Sequence, residues 1–208
     1  MKQLPNIITL SRIPCLFVIA LFAACSAPWS ATVAFVVFLF AAGTDFLDGW
    51  LARRLGVVSN FGKLMDALTD KILNVGLLIF LLVCPPVLPS YCVFFVVVIL
   101  VRELLITGLR LVAASSNLVL AAERSGKIKT ALQIVAIALL LFVHAAVTDW
   151  QAWCPEAFTE KVRWAALGAF YVATLLTVTS GAGYLIKYWD IFMGGGEAGE
   201  NGKGGAAR

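Results

Sequence analysis

Charge is scarce in this chain. Asp, Glu, Lys and Arg make up 13% of its 208 residues, against 61% hydrophobic, and mean hydropathy is +0.93. No stretch is polar enough to fold as a separate water-soluble catalytic domain, so any chemistry must use groups on apolar helices or on the short connections between them. A single histidine, His144, makes no metal cluster and reads as structural or interfacial. The five cysteines form no CxxC pair, which excludes a zinc site of that type. They lie largely in apolar runs as packing residues, and Cys84 and Cys92 flank one outer loop, compatible with free thiols or a disulfide. The apolar runs lack period-2 alternation, which excludes a transmembrane β-barrel. The formal charge of +4 is too small to argue for nucleic acid.

What the chain does contain is a series of apolar runs near residues 13–26, 31–52, 61–83, 91–114, 128–148 and 163–186. Pro28, the stretch Arg53 to Asn60, the trio Pro85, Pro86 and Pro89, Ser115 to Gly126, and Asp149 to Lys161 separate them. The pattern predicts an all-α integral membrane protein with six transmembrane helices. Leu4, Pro5, Ile7, Ile8 and Leu10 predict a short N-terminal interfacial helix before the first span. Met1, Lys2, the first apolar run and the small residues Ala23 to Ala27 imitate a signal peptide. Arg12 interrupts that run, however, and five later spans favour retention. Residues 1–190 form one membrane domain, and the glycine-rich segment Gly194 to Arg208 reads as a disordered tail.

Six spans put both termini on one side. That side carries Lys2, Arg12, Arg53, Arg54, Lys63, Arg110, Arg124, Lys127, Lys129, Lys187, Lys203 and Arg208, against Lys161 and Arg163 opposite. The bias predicts cytoplasmic termini.

The same side carries four aspartates in the pattern Asp45-x2-Asp48-Gly49-x2-Ala52-Arg53-x8-Gly62-x3-Asp66-x3-Asp70. A charged side chain at membrane depth costs at least ~2.5 kcal/mol, so four carboxylates need compensating partners, and divalent cations supply them. Asp45 and Asp48 are three apart and Asp66 and Asp70 four apart, so each pair projects from one face of its helix. The short connection, roughly Arg54 to Gly62, predicts antiparallel neighbours. Four carboxylates facing one cleft hold two divalent cations ~3.5 to 4 Å apart, an arrangement suited to phosphoryl displacement. Gly49 and Gly62, lacking Cβ atoms, and the small Ala52 allow a bulky polar ligand close approach. Arg102 and Arg110 on the fourth span, with Lys127 and Lys129 opening the fifth, provide cations for a substrate phosphate. Arg102 lies about halfway along its run, where topology alone would not put it; Glu103 beside it is a competing partner.

The aspartate pattern resembles, without a departure, the signature of the CDP-alcohol phosphotransferase family, whose members move a phospho-alcohol from a cytidine diphosphate donor to a second alcohol. The positions Leu4-Pro5-Asn6 with Thr9 and Arg12, Arg102-Glu103-x3-Thr107-x2-Arg110, and Gly126-Lys127-x-Lys129-Thr130-x2-Gln133 look like the bacterial branch using glycerol 3-phosphate. This resemblance implies that Asp45, Asp48 and Asp66 ligate two Mg2+ or Mn2+ ions, Asp66 bridging, with Asp70 as proton acceptor that also touches the second metal. It implies contacts to CDP-diacylglycerol from Asn6, Thr9, Gly49, Arg53, Ser59 and Gly62. Arg102, Arg110, Lys127 and Lys129 would bind glycerol 3-phosphate. The implied products are phosphatidylglycerophosphate and CMP, made by a homodimer at the bacterial inner membrane with its site facing the cytoplasm. Inositol phosphate, serine or phosphatidylglycerol as acceptor would use the same aspartates with a different basic pocket. A cation channel lined by the aspartates is the reading outside enzymology; it does not require Gly49, Ala52, Arg53 and Gly62 in register.

Overall fold

A computed structural model describes residues 4–55, 60–83, 87–115 and 124–189. Those residues contain no strand. The helices are α1 (Leu4–Ala24), α2 (Ser30–Leu55), α3 (Asn60–Val83), α4 (Val93–Ser115), α5 (Arg124–Thr148) and α6 (Glu156–Lys187), with one 3-10 turn, Ser90–Cys92, leading into α4. Segments 90–113, 128–148 and 156–187 are long and apolar enough to cross a membrane; the apolar parts of α1 and α2, Ser11–Ala24 and Ser30–Thr44, are shorter. The chain is thus an all-helical protein of membrane character.

Local chemistry explains the boundaries. Pro155 precedes α6, Glu156 stands in its first turn and Lys187 in its last, each charge matching the adjacent end of the helix dipole. Between α1 and α2 the chain reverses through Trp29, held in the left-handed region at φ 64°, and Ser30 Oγ donates to the Cys25 carbonyl at 2.6 Å.

Two expectations change. No separate interfacial helix precedes the first span: residues 4–12 are the opening turns of α1, which runs on unbroken through Pro14. A helix in an apolar setting keeps its internal hydrogen bonds because no water competes for them, and neighbouring helices offset the bond a proline loses. The α2–α3 link is also shorter than expected, residues 56–59, because both helices wind further toward each other. Along the described residues α1 packs on both α2 and α3; the facing ends of α2 and α3, on which their expected pairing falls, lie outside the described side chains. Gly76 permits the approach of α1 to α3, since a Cβ there would lie 2.7 Å from Leu16 Cδ2.

The core runs through all six helices, with Ile19, Phe38, Leu77, Leu81, Ile99, Leu140 and Phe170 fully or almost fully buried. Polar pegs brace the end where α1 leaves and α2 begins. His144 of α5 is buried and its Nε2–H donates to the Ala23 carbonyl at 2.9 Å, bearing out a structural role. Asp149 Oδ2 accepts from the Thr32 amide and the Thr32 hydroxyl, both at 2.7 Å, and so satisfies a first-turn amide of α2 from the end of α5. Cys92 is a free, buried thiol 3.7 Å from the Tyr171 hydroxyl; Cys84 lies outside the described residues. So do Ser59 and the tail Gly194 to Arg208.

Candidate active site

The opposite end gathers the acidic motif. Asp45, Asp48, Gly49 and Arg53 ride on the last turns of α2; Gly62, Asp66 and Asp70 ride on α3. Counted from the ends that face each other, Asp45 lies ten residues before Leu55 and Asp70 ten after Asn60, each about 15 Å along its helix. Asp48 and Asp66 lie seven and six residues in, about 10 Å. The two pairs therefore lie at similar distances along their helices from those ends. Of the four carboxylates, the structure describes the side chain of Asp70 alone; its Oδ1 accepts from Asn74 Nδ2 at 2.9 Å, one turn on along α3. An oxygen-only donor set, with one carboxylate steadied by an amide, fits a hard divalent cation. Among the described residues no group of three or more His, Cys, Asp or Glu comes together; the side chains of Asp45, Asp48 and Asp66 lie outside that set.

The basic residues assemble around Glu103. This carboxylate is 5% exposed, yet three cations from three helices converge on it. Lys129 of α5 and Arg102 of α4 share Oε1, Arg102 Nη1 at 3.3 Å, while Lys71 of α3 faces Oε2 at 3.6 Å. Lys71 also donates to the Thr107 hydroxyl, which donates to the Glu103 carbonyl at 2.6 Å. Asn74, Thr107, Lys129 and Gln133 are all buried around this knot. A lone ammonium so deep would be expensive; a shared carboxylate with supporting hydroxyls offsets the desolvation.

Arg102 has a second set of contacts. Its Nη2 donates to Ser180 Oγ of α6 at 3.0 Å, and its stem crosses α6 at Gly181, where a Cβ would stand 2.8 Å from Arg102 Cγ. It also lines an apolar cavity of about 320 Å³ between α4 and α6 with Val98, Leu105, Val178 and Leu185. Arg110, two turns further along α4, is exposed, its guanidinium 5.6 Å from the centre of the Tyr184 ring.

Of the residues expected to bind substrate, Arg102, Arg110 and Lys129 thus occupy one region spanning α4 to α6. Lys127 falls in the first turn of α5, Asn6 and Thr9 in the first turns of α1, and their side chains lie outside the described set. The sequence reading assigned nothing to Lys71 and Asn74. Both had a signal, since one directly follows Asp70 and the other stands one helical turn after it.

The profile of the CDP-alcohol phosphatidyltransferase family matches residues 2–179. Among similar proteins, the CDP-diacylglycerol–glycerol-3-phosphate 3-phosphatidyltransferase of Bacillus subtilis is 37% identical over 202 residues, 91% of this chain and 97% of that protein. Proteins of the same name are 38% identical in Mycoplasma pneumoniae, covering 70% of this chain and 61% of that one, and 36% identical in Rickettsia typhi, covering 68% and 77%.

Proposed function

The chain belongs to the CDP-alcohol phosphatidyltransferase family, and from that premise we propose that it transfers the phosphatidyl group of CDP-diacylglycerol to sn-glycerol 3-phosphate, giving phosphatidylglycerophosphate and CMP. The observation that carries this reading is the unbroken acidic signature at similar distances along α2 and α3, with the basic knot of α3, α4 and α5 beside it. Similarity over almost the whole length of the Bacillus subtilis protein supports glycerol 3-phosphate as acceptor.

In this reading Asp45, Asp48, Asp66 and Asp70 hold two divalent cations, Mg2+ or Mn2+. Bound there, the ions neutralise the diphosphate of the donor and the charge on departing CMP. The rest is positioning. Gly49, Arg53, Ser59 and Gly62, with Asn6 and Thr9, receive the CDP moiety. Arg102, Arg110, Lys127 and Lys129 hold the acceptor phosphate. The acceptor hydroxyl oxygen bonds to the phosphatidyl phosphorus as the bond from that phosphorus to CMP breaks, and Asp70 takes the hydroxyl proton. Asn74 fixes the orientation of that carboxylate by holding Oδ1. The lipid tails stay in the bilayer while head groups react at the cytoplasmic face. That orientation rests on the Lys and Arg bias, and six spans and a homodimer belong to the same proposal.

The test is incubation of purified protein with CDP-diacylglycerol and a panel of acceptors, reading the lipid product by mass. Phosphatidylglycerophosphate formed with divalent metal and glycerol 3-phosphate is the expected result. Product from inositol phosphate, serine or phosphatidylglycerol instead would move the assignment within the family. Ion flux without CMP release would replace it with a channel.

A further inference from the structure

We propose that Lys71 is a further acceptor-binding residue, its ammonium engaging the phosphate jointly with Arg110 while Glu103 and Thr107 hold it in position. The inference rests on the glycerol 3-phosphate reading above. Three cations converge on Glu103, and Asp70 also lies within electrostatic range of Lys129; three cations against two carboxylates still leave positive charge in excess among the described residues of this knot, and in an apolar helix bundle such an excess calls for an anionic ligand.

Access singles out Lys71. Its side chain is 24% exposed, against 16% for Arg102 and 4% for Lys129. Its hold on Glu103 is also the loosest, 3.6 Å to an oxygen it shares with neither of the other two cations. Lys129 and Arg102 share Oε1, whereas Lys71 alone faces Oε2 and can give up part of that contact to an incoming phosphate. Its hydroxyl partner Thr107 and Arg110 are three apart on α4, hence on one face, and Lys71 and Arg110 lie within Coulomb range of each other. A phosphate between them meets one cation from each of two helices.

The experiment compares wild type, Lys71→Met and Lys71→Arg in vesicles containing CDP-diacylglycerol, reading CMP release as each substrate is varied. Loss of a charged hydrogen bond should raise the KM for glycerol 3-phosphate about tenfold or more in Lys71→Met, leave the donor KM within about twofold, and be partly rescued by arginine. A fall in kcat with both KM values unchanged, or an unmoved acceptor KM, would overturn the assignment and leave Lys71 a structural partner of Glu103. A second measurement needs neither turnover nor the variant to fold: amine acylation of the wild-type protein, followed by mass spectrometry. Glycerol 3-phosphate or inorganic phosphate should slow labelling of Lys71 severalfold; equal labelling with and without the anion would also overturn it. Wild-type protein that makes no product from glycerol 3-phosphate defeats the functional reading instead, and the labelling by inorganic phosphate still decides whether Lys71 binds an anion.

Discussion

The two ends of the helix bundle handle buried polarity differently. At one end each polar group meets a matching partner: His144 meets the Ala23 carbonyl, and Asp149 takes both donors of Thr32. At the other, Lys71, Arg102 and Lys129 crowd on the single carboxylate of Glu103, beside the helices that carry four aspartates. One donor set per acceptor is what stability alone requires. Like charges massed together cost stability, and on the proposed function they are kept for ligands of opposite sign: cations for the aspartates, phosphate for the basic knot.

Substitutions at the two ends should therefore separate activity from stability. Asp70→Asn removes the proton acceptor and should lower turnover by about a thousandfold or more while donor binding persists, measured by single-turnover CMP release and CDP-diacylglycerol binding. Arg110→Ala should raise the acceptor KM about tenfold with kcat changed only slightly, in steady-state assays with glycerol 3-phosphate varied. An acceptor dependence untouched by Arg110→Ala would remove that residue from the pocket and blur the contrast between the ends. Asp149→Ala should do the reverse, costing about 1 kcal/mol through the orphaned Thr32 amide and lowering Tm by a few degrees with both KM values unchanged. The smallest effect is expected from Gly181→Ala: its Cβ would press on the flexible stem of Arg102, costing about 1 kcal/mol and moving the acceptor KM by less than about threefold.

Much of this contrast is legible in the chain. Six helices follow from apolar runs and their breakers, and the pairing of Asp45 with Asp48 and of Asp66 with Asp70 follows from helical spacing. His144 reads correctly because a lone histidine among apolar residues needs only one partner. Other features depend on how helices rotate and pack, which spacing along one helix does not encode. Arg102 and Glu103 are adjacent in sequence, but that Glu103 also draws in Lys71 and Lys129 depends on α3 packing against both α4 and α5. The continuity of α1 is hidden because Pro5 and the apolar pattern Leu4, Ile7, Ile8 and Leu10 read as a separate interfacial helix before the first apolar run. The packing of α1 on α3 includes a close approach of Leu16 to Gly76 that hydropathy does not register.

The central claim is that the acidic end binds metal and the opposite end does not. Mn2+ titration followed by electron paramagnetic resonance, on wild type, Asp66→Asn and Asp149→Asn, tests it directly. About two ions per chain are expected for wild type and Asp149→Asn, and fewer or more weakly held ions for Asp66→Asn. Binding unaltered by Asp66→Asn, or lost equally in Asp149→Asn, would contradict it.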